Sequence, residues 1–96
     1  MLEDLNLCRT DLTNDQVQAL FQAMSQNSCL KKLNLGYINL SSVESRLLAT
    51  TLIKLKVADL KYTHLSTYQM TSILGHIQKD TKLKKLLLIG NNLVII

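Results

Sequence analysis

Leucine returns through this chain at fixed intervals, and that repetition limits the available folds more than any other feature. Counted from an opening apolar residue, apolar side chains recur at offsets 0, 3, 5 and 10 in four successive segments. The first carries Leu2, Leu5, Leu7 and Leu12, and the second Leu30, Leu33, Leu35 and Leu40. The third carries Leu55, Ala58, Leu60 and Leu65, and the fourth Leu83, Leu86, Leu88 and Leu93. Fifteen of the sixteen positions are leucine, and the units start 28, 25 and 28 residues apart. Such self-similarity marks stacked supersecondary units, none of which buries its apolar face alone. The repeats span 2–29, 30–54, 55–82 and an incomplete 83–96, together one domain over 1–96.

Within each unit the period changes. Offsets 3 and 5 alternate as in a short strand, with offsets 2, 4 and 6 on its other face. After the offset-10 leucine comes a hydroxyl residue followed three places later by Gln or Glu: Thr13 and Gln16, Ser41 and Glu44, Ser66 and Gln69. This is the capping-box pairing, which predicts a helix start in each unit. Helical spacing then places Val17, Leu20, Phe21 and Met24 on one face. Leu48, Ala49 and Leu52 share a second such face, and Met70, Ile73, Leu74 and Ile77 a third. The second helix has Ser45 where its neighbours have Val17 and Met70, with Leu47 expected to turn inward instead. Polar connectors follow the first and third helices, whereas Ile53-Lys54 alone follows the second, which predicts a shortened helix or turn there. Strands stack about 4.8 Å apart and helices roughly 10 Å, so such a stack bends with its strands inside. The expected fold is therefore α/β: a curved solenoid of about three and a half repeats, parallel strands concave and helices convex.

The motif L-x-x-L-x-L in helix-bearing units of about 28 residues resembles the ribonuclease-inhibitor-like class of leucine-rich repeats. The likeness covers almost the whole chain. Similar arrays occur in the sensor regions of NOD-like receptors, in the ribonuclease inhibitor, in the GTPase activator of Ran and in tropomodulin-type proteins. The run Leu12-Thr13-Asn14-Asp15-Gln16-Val17-Gln18-Ala19-Leu20 is most similar to NOD-like receptor repeats. The family places Asn or Cys at offset 8, which Asn91 matches; Thr10 and Thr63 substitute partly, and Ile38 does not. A looser turn after the second strand is the expectation there.

The resemblance implies a protein-binding module that reads a protein partner with its concave strand face, in the manner of an innate-immune receptor. A regulatory module of a GTPase activator or of a ubiquitin-ligase substrate receptor is the alternative. On that face the candidate residues are Asn34, Asp59, Lys32, Lys61 and Lys85, at offsets 2, 4 and 6. Offset 7 stacks Arg9, Tyr37, Tyr62 and Gly90, putting Tyr37 and Tyr62 on neighbouring rungs as aromatic anchors or as a cover for the sheet edge. Lys31, Lys32, Lys56, Lys84 and Lys85 align along one edge, suited to an acidic protein surface or to solvation. Leu87 and Ile89, with Val94, Ile95 and Ile96, form an apolar group expected to be covered by a further repeat or a neighbouring molecule.

Composition narrows the rest. Eleven Lys and Arg against seven Asp and Glu give +4, too little excess to point to nucleic acid. No apolar run reaches the roughly 18 residues of a membrane span. Cys8 and Cys29 fall at opposite ends of the strand direction, roughly 23 Å apart in extended chain. That predicts two thiols, one outward and one packed, and a reducing cytoplasmic setting. His64 and His76 lack metal-ligand or nucleophile spacing, and Gly36, Gly75 and Gly90 form no phosphate loop. No enzyme activity, cofactor or metal is expected. Unit one opens at residue 2 without a polar cap and unit four stops after its strand, as in a piece of a longer array, so self-association through uncapped ends is expected.

Overall fold

Strand and helix alternate along the chain in the computed structural model, which describes residues 2–26, 29–79 and 81–91. The order is β1 (Asp4–Asn6), α1 (Asn14–Gln26), β2 (Lys32–Asn34), α2 (Ser45–Leu52), β3 (Val57–Asp59), α3 (Thr67–Lys79) and β4 (Lys85–Leu87). The four strands form one parallel sheet in sequence order. The helices follow the same order, α2 packing against both α1 and α3. The fold class is thus α/β, with a four-stranded parallel sheet and three helices. Leu93, Val94, Ile95 and Ile96 lie outside the described residues.

Register follows the leucine period. Leu5, Leu33, Ala58 and Leu86 lie opposite one another across the four strands. The strands are only three residues long, yet their pairing continues past both ends. The N–H of Leu7 donates to Asn34 O, that of Leu35 to Asp59 O and that of Leu60 to Leu87 O, each at 2.9 Å. Two residues on, Arg9 N–H donates to Gly36 O, Tyr37 N–H to Lys61 O and Tyr62 N–H to Ile89 O. In return Lys31 and Lys32 donate to Glu3 O, Lys56 and Val57 to Lys31 O, and Lys84 and Lys85 to Lys56 O. Every junction between rungs is built from one pattern of bonds.

The core lies between the sheet and the helices. Leu33, Leu35, Leu40, Ala58, Leu60 and Leu65 of the middle rungs are at most 2 % exposed, packed with Phe21, Leu48, Leu52 and Ile73. The outer units differ. Leu5, Leu7, Leu12 and Leu20 on one side, and Ile77, Leu83, Leu86 and Leu88 on the other, touch this core but are only partly buried. Leu74 departs from the sequence expectation: it is exposed, because Ser72, two residues earlier, reaches Ser45 of α2, and helical geometry puts Leu74 on the opposite flank of α3.

Two capping boxes form as the spacing requires. The Thr13 N–H donates to Gln16 Oε1 and the Gln16 N–H to Thr13 Oγ1; Ser66 and Gln69 repeat the exchange. The expected pairing of Ser41 with Glu44 does not form. Glu44 is itself the N-cap, accepting from the N–H groups of Arg46 and Leu47, and α2 runs for only 8 residues against 13 in α1 and α3. Hydrogen bonds from Leu47 and then Arg46 hold the Glu44 carboxyl below the usual glutamate range. The Ser41 N–H and hydroxyl both donate to Asn39 Oδ1 instead, and donor polarity adds a second reason. Gln69 receives from Ser66 through Oε1 and gives through Nε2 to Leu40 O and Val43 O. A carboxylate only accepts, so Glu44 cannot fill the equivalent role and turns to its own helix instead.

That shift also settles the gap at Ser45. Val43, in the lengthened turn, is 3 % exposed and fills the core, while Leu47 packs only partly. The turn after β2 is as closed as its neighbours, contrary to expectation: Ile38 N–H donates to Leu35 O at 3.1 Å and the side chain is buried. Packing replaces the hydrogen bonds that Asn91 makes at the same offset.

Candidate functional site

The strand face ends in a turn of fixed chemistry. Asn6 and Asn34 accept from the N–H two residues on, and Asp59 does the same at 3.2 Å, the Asx arrangement that starts a turn. Asn34 and Asp59, expected to face a partner, thus each commit one side-chain oxygen to the backbone. The second Asp59 oxygen lies 3.4 Å from Lys61 Nζ. These residues shape the face more than they advertise charge on it.

After the turn comes the offset-7 column. Arg9, Tyr37, Tyr62 and Gly90 all take the left-handed conformation, with φ of 62°, 67°, 55° and 80°. For a residue with a Cβ that backbone costs on the order of 1–2 kcal/mol. Rung-to-rung bonds from these same N–H groups, and the stacking they permit, offset it. The Arg9 guanidinium carbon sits 4.1 Å from the Tyr37 ring centroid. Tyr37 and Tyr62 stack with centroids 5.1 Å apart and planes 17° from parallel. Tyr62 then leans over Gly90, where a Cβ would stand 2.2 Å from its ring.

The column is therefore a continuous cation–ring–ring–glycine stack, its two tyrosines 44 % and 45 % exposed. Their faces are used on one another, so what they offer outward is ring edge and hydroxyl. Arg9 and Gly90 stand in the same column of the sequence, but their part in holding the rings was not assigned from it. A glycine beside a tyrosine column was the available signal.

Beside the column, a shallow depression of about 260 Å³ opens on the strand face, lined by Asp4, Lys32, Asn34, Val57, Asp59 and Lys85. Four expected site residues, Lys32, Asn34, Asp59 and Lys85, thus share one surface. Lys61 is not among the lining residues and reaches the depression only through its ion pair with Asp59. Lysines on the first part of the rungs meet the acidic first unit, where Lys31 Nζ lies 3.5 Å from Glu3. Cys8 and Cys29 are both half-buried; Cys29, expected to be packed, is partly open. Among the described residues no group of His, Cys, Asp and Glu is placed to hold a metal ion. No helix of the described residues is long and apolar enough to cross a membrane.

Gly90→Ala tests the stack. The added methyl meets the Tyr62 ring and an unfavourable φ, so the ring must swing off Tyr37. We expect a reduced near-ultraviolet dichroism of tyrosine, unchanged far-ultraviolet signal and a loss of about 1 kcal/mol or more in stability. An unaltered near-ultraviolet spectrum would show that Tyr62 does not rest on Gly90.

Comparison with protein-family models, with curated proteins and with solved structures returns no significant match.

Proposed function

We propose that this chain is a stretch of ribonuclease-inhibitor-like leucine-rich repeat, a curved solenoid whose concave strand face binds a protein partner. The tyrosine column carries this reading. Two large rings held in strained backbone, half exposed and braced by Arg9 and Gly90, form a rigid aromatic ledge. Rigid aromatic groups bind with little loss of side-chain freedom, and tyrosine combines apolar edge with a hydrogen-bonding hydroxyl. The neighbouring depression adds Lys32 and Lys85, which favour approach of an acidic surface. Half-buried thiols at Cys8 and Cys29 fit a reducing cytoplasmic setting.

The test compares three proteins: the unaltered chain, the double variant Tyr37→Ala with Tyr62→Ala, and Tyr68→Ala. Tyr68 is 77 % exposed on α3, away from the ledge, and serves as control. Affinity capture followed by mass spectrometry should retain a partner with Tyr68→Ala and lose it with the double variant, while melting changes little. A double variant that unfolds would make the rings structural. Equal capture by all three would remove the ledge from recognition.

A further inference from the structure

β1 and β4 are the outer strands of the sheet, and the pattern that joins each rung to the next leaves matching groups on them. At all three junctions the earlier rung donates from offsets 5 and 7 and accepts at offset 1. The later rung accepts at offsets 4 and 6 and donates from offsets 1 and 2. Carried to the outer side of β4, the earlier-rung role falls to Leu88 N–H, Gly90 N–H and Lys84 C=O. On the outer side of β1, the later-rung role falls to Asn6 C=O, Cys8 C=O and the N–H groups of Glu3 and Asp4. The donors of one edge match the acceptors of the other, in the same direction and at the same spacing.

We infer that these two edges are a binding surface for a second copy of this chain, β1 of one copy adding in parallel to β4 of the next. The register continues the internal one, in which Val57 faces Lys85. Asp4 of the incoming copy then faces Lys85, Leu5 faces Leu86, and Glu3 lies beside Lys84. Charge favours this arrangement. Glu3 and Asp4 are acidic where Lys84 and Lys85 are basic, so head-to-tail pairing joins opposite charges, whereas antiparallel pairing of two like edges would set these residues against uncharged ones. The molecule already holds one such pair, Glu3 with Lys31 at 3.5 Å, at equivalent offsets on adjacent rungs. The apolar surfaces match as well. The partly buried Leu5, Leu7, Leu12 and Leu20 would meet the partly buried Ile77, Leu83, Leu86 and Leu88, raising both sets toward the burial of the middle rungs. The contact is head-to-tail, so it grows into open chains and does not close as a dimer.

Light scattering of the 96-residue chain over a concentration series tests this, alongside two variants: Glu3→Lys with Asp4→Lys, and Lys84→Glu with Lys85→Glu. All four positions are exposed, and circular dichroism checks that both variants fold. The unaltered chain should rise from 10.8 kDa past twice that mass. Each variant alone, with like charges on its two edges, should associate at least about tenfold more weakly. An equimolar mixture of the two variants restores opposite charges at every junction and should recover growth. A mass fixed at one chain, association of either variant as strong as the original, or a mixture that does not grow would each overturn the proposal.

Discussion

Leu60→Ala should lower stability by about 2–5 kcal/mol, the range for emptying a fully buried leucine site. Leu60 has no exposure, and its N–H and carbonyl both tie the third rung to the fourth. A domain of this size has on the order of 5–15 kcal/mol in all, so the variant stands near the edge of folding at ordinary temperature. Urea unfolding measures it through the midpoint, with the slope expected to hold. Leu5→Ala, on the partly buried first rung, is the comparison and should cost less than half as much. Equal losses would mean that the middle rungs are no more central than the outer ones.

Gln69→Glu should be comparably damaging for a different reason. Gln69 is 3 % exposed, and its Nε2 donates to Leu40 O at 2.9 Å and Val43 O at 2.8 Å. A carboxylate there sets an oxygen against two carbonyls with no donor between them, at a cost of about 3–5 kcal/mol. The pH dependence has a definite sign. Burial raises the folded-state pKa of the new carboxyl, so its protonated form, which still donates, fits the folded chain better. The penalty is small in acid and grows as pH rises from the ordinary glutamate range toward neutrality. Thermal melts of variant and original across that interval should diverge upward. Parallel curves would show that the site accepts a charge, and that donor polarity does not explain why α2 starts late.

Much of this was legible in the sequence because burial is periodic. Leucine at four offsets could satisfy only one register, and the offset-7 column followed from counting. Glu44 illustrates what was not legible. Glu and Gln are equivalent in the capping-box pattern, which counts only the oxygen; the second bond, made by the Gln69 amide to the preceding unit, separates them. Val43 became a core residue only once that helix start had moved. Leu74 fits the apolar face of α3 by spacing, yet exposure depends on which flank carries a neighbour, and helical periodicity does not carry that information. Asn34 and Asp59 were read as recognition residues because they face outward, whereas their position two residues before a turn N–H gives them a local partner first.

The lysines at the start of the rungs have one more consequence. Lys31, Lys56 and Lys84 hold the same offset just before successive strands, linked through their own backbone groups, and of the three only Lys31 has an ion pair among the described residues. Like charges on adjacent strands repel, and mobile ions screen that repulsion over about 8 Å at physiological ionic strength. Dissolved salt therefore acts on this chain in two opposed senses. It relaxes the column of ammonium groups and steadies the folded sheet, while it weakens the attraction between the acidic edge of one molecule and the basic edge of the next.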